Sequence, residues 1–475
     1  MSGTARAGTR VSYADVLAGL SYALDLTEGQ RPGHSVRSAV IGLRLADVIG
    51  LDPARRESLV HALLMKDLGC SSNAARFSAL FGASDHDLKS NLKLIDWPVA
   101  LQSFRFVSRN VAPGRFWLKR VWRALAVFAR GPAGAREVVR TRCERGADIA
   151  TMLGFSTDTA AAIRALDEHW NGQGQPYRLA GEAIPPLARI LNLAQTAEVF
   201  GSTWGPEAMF TMATDRRGRW FDPSLVDALQ ATRHDTAFWE RLSGRTPMAL
   251  LRDLDLGAAD APADDERLDR TAVAFAQVID AKSPWTFRHS NGVAAIAVGL
   301  GQRLGFDDVM LRDLYRAGLL HDLGKLGVSS LILDKPGRLT DEEFRLMRHH
   351  PVETAAILDR VPCFQPIVEL AASHHERLDG RGYHRGLTAD RLSMAQRVLC
   401  TADICDALRM SRPYRAGLEP EQVLDIMSRE VSRGIDPRCY EALEDLLRSA
   451  PVDLAVALPA ARLVESLAED YSQAA

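Results

Sequence analysis

The sequence predicts an all-α protein made of two tandem helical bundles packed together as an internal pseudo-dimer, and three observations lead there. Apolar residues in segments such as DDVMLRDLYRAGLLHDLG, from Asp307, return at intervals of three and four, while alternating strand patterns are scarce. The chain also matches itself in two registers. GHSVRSAVIGLRLADVIGLD from Gly33 lies over RHSNGVAAIAVGLGQRLGFD from Arg288 at an offset of 255, and the segment from Glu168 lies over that from Glu376 at an offset of 208. Finally, most of the twelve histidines fall between His289 and His384, which marks one site rather than scattered surface imidazoles.

Taken in order, residues 11–245 form the first copy and residues 266–450 the second, joined by a linker at 246–265 that includes the acidic, alanine-rich run GAADAPADDERLD. Residues 451–475 are expected to form a C-terminal helical tail. The change of offset places an insertion in the first copy between Gly69 and about Gly131; its Trp97, Trp117 and Trp122 could cover a partner surface. Helices should start after Asp52 and Asp307. Thr340 three positions before Glu343 is a capping-box pattern, and Pro351 should start or interrupt a helix. Gly172 and Gly174 recur as Gly380 and Gly382, which reads as a repeated turn.

A hydrophobic fraction of 47% with a formal charge of -2 gives no basic footprint, so nucleic acid is not an expected partner; the arginines between Arg115 and Arg142 read as a solvated helix surface. No apolar run reaches transmembrane length, so no membrane partner is expected. Cys70, Cys143, Cys363, Cys400, Cys405 and Cys439 form no CxxC pair, which suits the cytoplasm.

His321 and Asp322 adjoin at the end of an apolar helix, with Lys325 three residues on, so imidazole, carboxylate and ammonium can approach one pocket. A carboxylate has two oxygens and can bridge two cations. With His289, His350, His374, His375 and Asp403 in the same copy, this pair predicts a metal site. In the first copy His321 is replaced by Lys66, His350 by Arg142, His374 and His375 by Leu166 and Asp167, and Asp403 by Gln195. An ammonium, a guanidinium, an isobutyl group and an amide cannot rebuild that shell. The first copy, with His34 and Asp67 surviving, is therefore expected to be degenerate, serving packing or regulation.

LLHDLGKLGVSSLILDKPGRLTDEE, MRHHP, HHERLDGRGYHRGL and TADICDAL followed by RPYR resemble, in the same order, the HD-GYP branch of the HD phosphohydrolase superfamily, over roughly residues 280–440. The resemblance implies tandem HD-domain bundles and two divalent or mixed-valence metal ions, iron or manganese. It also implies hydrolysis of a phosphodiester, with cyclic di-GMP the first candidate. It makes His289, His321, Asp322, His350, His374, His375 and Asp403 the metal ligands, Asp322 bridging. It gives Lys325 a catalytic role at substrate phosphate; Tyr383, Arg412 and Arg415 are candidate substrate contacts from their own chemistry, the two arginines suiting phosphate or packed carboxylates. His384 stands where the family has proline, and Trp285 stands where some relatives place a glutamate for a third metal, which favours two metals. The expected partners are a cyclic nucleotide or other phosphate ester, with a signalling protein and a homo-dimer left open. The same residues also suit two other functions: a ligand-responsive regulator with a metal site and little turnover, and an HD-type diiron oxygenase.

Overall fold

The computed structural model describes residues 11–96, 100–113, 116–253, 261–284, 288–410 and 416–449. Among these the chain is helical throughout, with strand-like pairing confined to isolated bridges. The expected caps form: Asp52 and Asp307 accept from backbone N–H groups of the helices they precede, and Thr340 and Glu343 close a reciprocal capping box. Pro351 sits in the first turn of the helix His350–Leu358, where its missing N–H costs nothing.

The duplication is visible element by element. Tyr13–Thr27, His34–Ile49, Pro53–Met65 and Pro186–Trp204 recur as Asp265–Asp280, His289–Arg303, Asp308–Leu320 and Met394–Arg409. Buried polar contacts are repeated as well. Asp25 accepts from the Ser35 hydroxyl at 2.8 Å and Asp280 from the Ser290 hydroxyl at 2.8 Å. Glu168 accepts from the N–H of Tyr177 and Leu179, and Glu376 from that of Arg385 and Leu387. A third register, unnoticed in the sequence, sets Pro206–Asp215 and Pro223–Ala231 over Pro420–Ser428 and Pro437–Arg448. Its apolar positions match but few distinctive side chains do.

One continuous core spans both copies. The first helix of each copy crosses to the other: Tyr13–Thr27 packs on Leu323–Gly327 and His350–Leu358, while Asp265–Asp280 packs on Cys70–Asn73 and Trp117–Met152. This reciprocal exchange is the isologous contact of a two-fold dimer made within one chain. Part of the expected linker belongs to the first copy's packing, because Pro247–Arg252 forms a helix that lies on His34–Ile49 and Tyr13–Thr27 with Leu250 and Leu251 buried. The tail 451–475 lies outside the described residues.

The insertion folds as Ala74–Phe81, Asp85–Leu92, Ala100–Asn110 and the first half of Trp117–Met152, around a satellite cluster containing Phe81, Leu88, Phe106 and Val107. Trp117 and Trp122 are exposed; Trp97 lies outside the described residues. Arg142, expected on a solvated surface, instead turns inward to pair with Asp167, because the chain reaches there the position that His350 holds in the second copy.

Candidate metal centre

Five elements of the second copy converge. His289 opens the helix His289–Arg303, His321 and Asp322 end Asp308–Leu320, His350 opens His350–Leu358, His374 and His375 follow Gln365–Ala372, and Asp403 lies within Met394–Arg409. The close packing needed to bring these ends together depends on Gly324, where a Cβ would lie 2.0 Å from the His350 carbonyl oxygen.

The two oxygens of Asp322 face different groups. Oδ2 lies 3.7 Å from His289 Nε2 and 3.3 Å from His321 Nε2, with Asp403 Oδ1 3.3 Å from His289 Nε2 on the same side. Oδ1 lies 3.2 Å from His350 Nε2 and 3.6 Å from His374 Nε2. His375 Nδ1 approaches the other oxygen of Asp403 at 3.5 Å. His289, His321 and Asp322 make one group able to hold an ion, and His350, His374 and His375 a second, with Asp322 between them.

The donor set fits cations. His321, His350 and His374 each donate Nδ1–H to a backbone carbonyl three residues back, Gly318, Met347 and Ala371, at 2.8, 2.7 and 2.6 Å. That fixes the neutral tautomer with the Nε2 lone pair aimed at the centre. His321 Nε2 and Asp322 Oδ1 are buried without a hydrogen-bond partner among the described residues, a costly arrangement unless a further electrophile belongs there. Burial pushes Asp322 and Asp403 up, yet the surrounding imidazoles, with Lys325 beside Asp322, hold both well below the ordinary carboxylate range. Burial lowers His350, His374 and His375, the last to about 3, so these imidazoles stay unprotonated. Burial would lower His289 as well, but hydrogen bonds to Asp403 and Asp406 carry it up to about 10, which marks that side of the centre as strongly negative.

A family model described as HD domain matches residues 133–225 and 274–439, more than half of the chain. The chain belongs to the HD-domain family. Within it, the motifs and the convergent histidine–aspartate shell place it in the HD-GYP branch of the HD phosphohydrolases, as a metal-dependent phosphodiesterase. It is 38% identical over 438 residues, 92% of this chain and 95% of the relative, to 3′3′-cGAMP-specific phosphodiesterase 3 of Vibrio cholerae. Over 182 residues, 38% of this chain and 43% of the relative, it is 37% identical to a cyclic di-GMP phosphodiesterase of Pseudomonas aeruginosa. The crystal structure of a cyclic GMP-AMP-specific phosphodiesterase of V. cholerae superposes with a TM-score of 0.63 at 35% identity, covering 93% of this chain and 99% of that one.

The first HD copy carries fixed cations where the second gathers ligands. Lys66 pairs with Asp67, and Lys93, from the insertion, lies 3.1 Å from Glu28 and 3.7 Å from Asp67. Arg142 and Asp167 pair where the second copy has His350 and His375. Glu28, Asp67 and Cys70 are close enough to hold an ion, but the ammonium groups of Lys66, Lys93 and Lys89, the last 3.5 Å from Glu28, already balance the carboxylates.

Of the remaining expected residues, Lys325 Nζ lies 2.5 Å from Asp322 Oδ2 and is partly exposed, and the Tyr383 ring packs 4.2 Å from that of His375. His384 is exposed and outside both ligand groups. Trp285, Arg412 and Arg415 lie outside the described residues. Sequence reasoning missed Arg348, whose guanidinium sits 5.2 Å over the Tyr383 ring and donates to the Gly382 carbonyl at 3.0 Å. It also missed Asp406, which accepts from His289 Nδ1 at 2.6 Å; Gly292 leaves it room, since a Cβ there would lie 2.0 Å from the carboxylate. Its signal was present, because Glu198 stands at the matching place and pairs with His34 in the first copy. Asp406→Asn, by weakening the hold on His289, is expected to lower metal affinity by roughly 10- to 100-fold while leaving the fold intact, read by metal titration of the apoprotein.

Proposed function

We propose that the second HD copy hydrolyses a 3′–5′ phosphodiester bond of a cyclic dinucleotide. The observation that carries this is the division of Asp322, one oxygen toward each histidine group, which suits two metals a bridging distance apart. His289, His321, Asp322 and Asp403 would hold one ion, and Asp322, His350, His374 and His375 the other; iron and manganese both suit imidazole with carboxylate. Such a pair, when bound, lowers the pKa of water and neutralises charge on the phosphate in the transition state. The chain's own groups supply the rest. Lys325, partly open to solvent at the rim, would give an ammonium to a non-bridging phosphate oxygen. Tyr383, backed by Arg348 and His375, offers an aromatic face at the same rim on which a base could stack.

Motif resemblance alone puts cyclic di-GMP first. The relative matched over both copies, however, is named for 3′3′-cGAMP, while the match to the cyclic di-GMP phosphodiesterase from P. aeruginosa spans 38% of this chain. We therefore put 3′3′-cGAMP first and cyclic di-GMP second. We place the enzyme in the cytoplasm, where its six free cysteines would remain reduced.

The test is turnover by the purified full chain, loaded with iron or manganese, on 3′3′-cGAMP, cyclic di-GMP and cyclic di-AMP, with linear and mononucleotide products resolved by chromatography. Linear dinucleotide from 3′3′-cGAMP at the highest kcat/KM is the expected result. Binding without product would return the regulator reading, and dioxygen uptake with an organic co-substrate the oxygenase reading. Removing the metals by chelation should abolish turnover, and adding manganese should restore it. Turnover that survives complete metal removal would exclude the mechanism.

A further inference from the structure

We infer that Asp85, on the insertion of the first copy, is a positioning residue for Lys325 of the second. The inference rests on the phosphodiesterase reading for what Lys325 does, and on geometry for how it is held.

Asp85 is fully buried and reaches across the pseudo-dimer. Its Oδ2 accepts from Lys282 Nζ at 2.7 Å, and its Oδ1 accepts from the backbone N–H of Ser330 at 2.9 Å. The Lys282 ammonium has three donors and meets three acceptors: Asp85, His86 Nε2 at 2.9 Å, and the Leu326 carbonyl at 3.3 Å. Burial, followed by the Lys282 charge, lowers His86 to about 4 and keeps it neutral, so its Nε2 accepts from Lys282 in one tautomer and donates to the Leu326 carbonyl, 3.1 Å away, in the other. Asp85, His86 and Lys282 thus grip the chain at Leu326 and Ser330, immediately after Lys325.

The other end of the same turn is held from within the second copy. The Gly324 N–H donates to Thr354 Oγ1 at 2.8 Å, and the Thr354 hydroxyl donates to the His321 carbonyl at 3.0 Å. Lys325 therefore sits on a short 3-10 turn, Leu323–Gly327, clamped before it by its own copy and after it by the other. Lys282 has no basic counterpart: the matching residue of the first copy is Thr27, whose carbonyl accepts from Lys89 of the insertion at 3.2 Å. The insertion, present in one copy alone, spends its buried acid on the turn of the copy that carries the ligands. A side chain whose ammonium must meet a phosphate loses effect steeply when its backbone shifts by an ångström.

A buried ion pair also matters for folding, so the test separates the two roles. Asp85→Ala alone leaves a buried ammonium unpaired, whereas the double variant Asp85→Ala with Lys282→Met removes both charges together. The full-length double variant is expected to melt closer to wild type than Asp85→Ala alone and to keep both metals. It should lose kcat by roughly tenfold or more with KM less affected, and exchange its amide hydrogens faster at residues 323–330 than elsewhere in the second copy. Unchanged kcat and unchanged exchange at 323–330 would overturn the inference and leave Asp85 a folding residue. Loss of metal with unchanged exchange there would also overturn it, because the effect would then run through the ligands. Were wild type itself inactive on every cyclic dinucleotide, the functional reading would fail while the exchange at 323–330 still decided whether Asp85 holds the turn.

Discussion

Asp322→Ala is expected to empty both metal positions and to lower turnover by at least about a thousandfold, because Lewis-acid stabilisation of several kcal/mol vanishes with the metals. The expectation follows from the shared carboxylate. One oxygen faces His289 and His321 and the other faces His350 and His374, whereas Asp403, which also spans the groups, reaches only His375 of the second. Without Asp322 the imidazoles of His289, His321, His350 and His374 would lose the carboxylate between them, and Lys325 would lose the partner 2.5 Å away and add an uncompensated positive charge. His375→Ala removes a ligand from one group only. It should retain close to one metal per chain while still losing most turnover. The pair of variants, assayed for metal per chain and for hydrolysis, decides whether Asp322 bridges. Two metals and near wild-type turnover in Asp322→Ala would refute it.

What could be read from the sequence was whatever the duplication and the motifs made redundant. His289, His321, Asp322, His350, His374, His375 and Asp403 are separated by more than a hundred residues, yet each sits beside a helix end or on a helix whose apolar pattern is repeated in the other copy. The helical class, the caps and the reciprocal pairing of copies were legible for the same reason. What stayed hidden depends on contacts between segments with no internal counterpart. Asp85, His86, Lys89 and Lys93 lie in the insertion, where self-comparison is silent, and their role appears only once Asp85 meets Lys282 and Lys93 meets Glu28. Asp406 was overlooked although it sits one helical turn beyond Asp403, because a carboxylate that orients a ligand rather than acting as one carries no spacing rule of its own.

The first copy's eroded centre leads to the second large effect: Lys93→Met is expected to destabilise the fold by about 3–5 kcal/mol at neutral pH while leaving the metal content of the second copy unchanged. Burial pushes Glu28 and Asp67 up, but the neighbouring lysines hold both down, Asp67 to about 2 and Glu28 well below its usual range. Burial would lower Lys93, yet Asp67 and Glu28 raise it, so all three are charged in the folded state. A carboxyl whose folded pKa is depressed adds stability above its unfolded pKa and loses it as pH falls through the folded value. With Lys93 gone, Asp67 keeps Lys66 and Glu28 keeps only Lys89, 3.5 Å away, so the folded state holds its two carboxylates less firmly and protonation costs it less. The deficit relative to wild type should therefore be largest near pH 7 and shrink as pH falls from about 4 toward 2. Chemical denaturation of both proteins across that range measures it. A deficit below about 1 kcal/mol at pH 7, as for an exposed ion pair, would show that the Lys93 ammonium is not what holds the two buried carboxylates of the first copy.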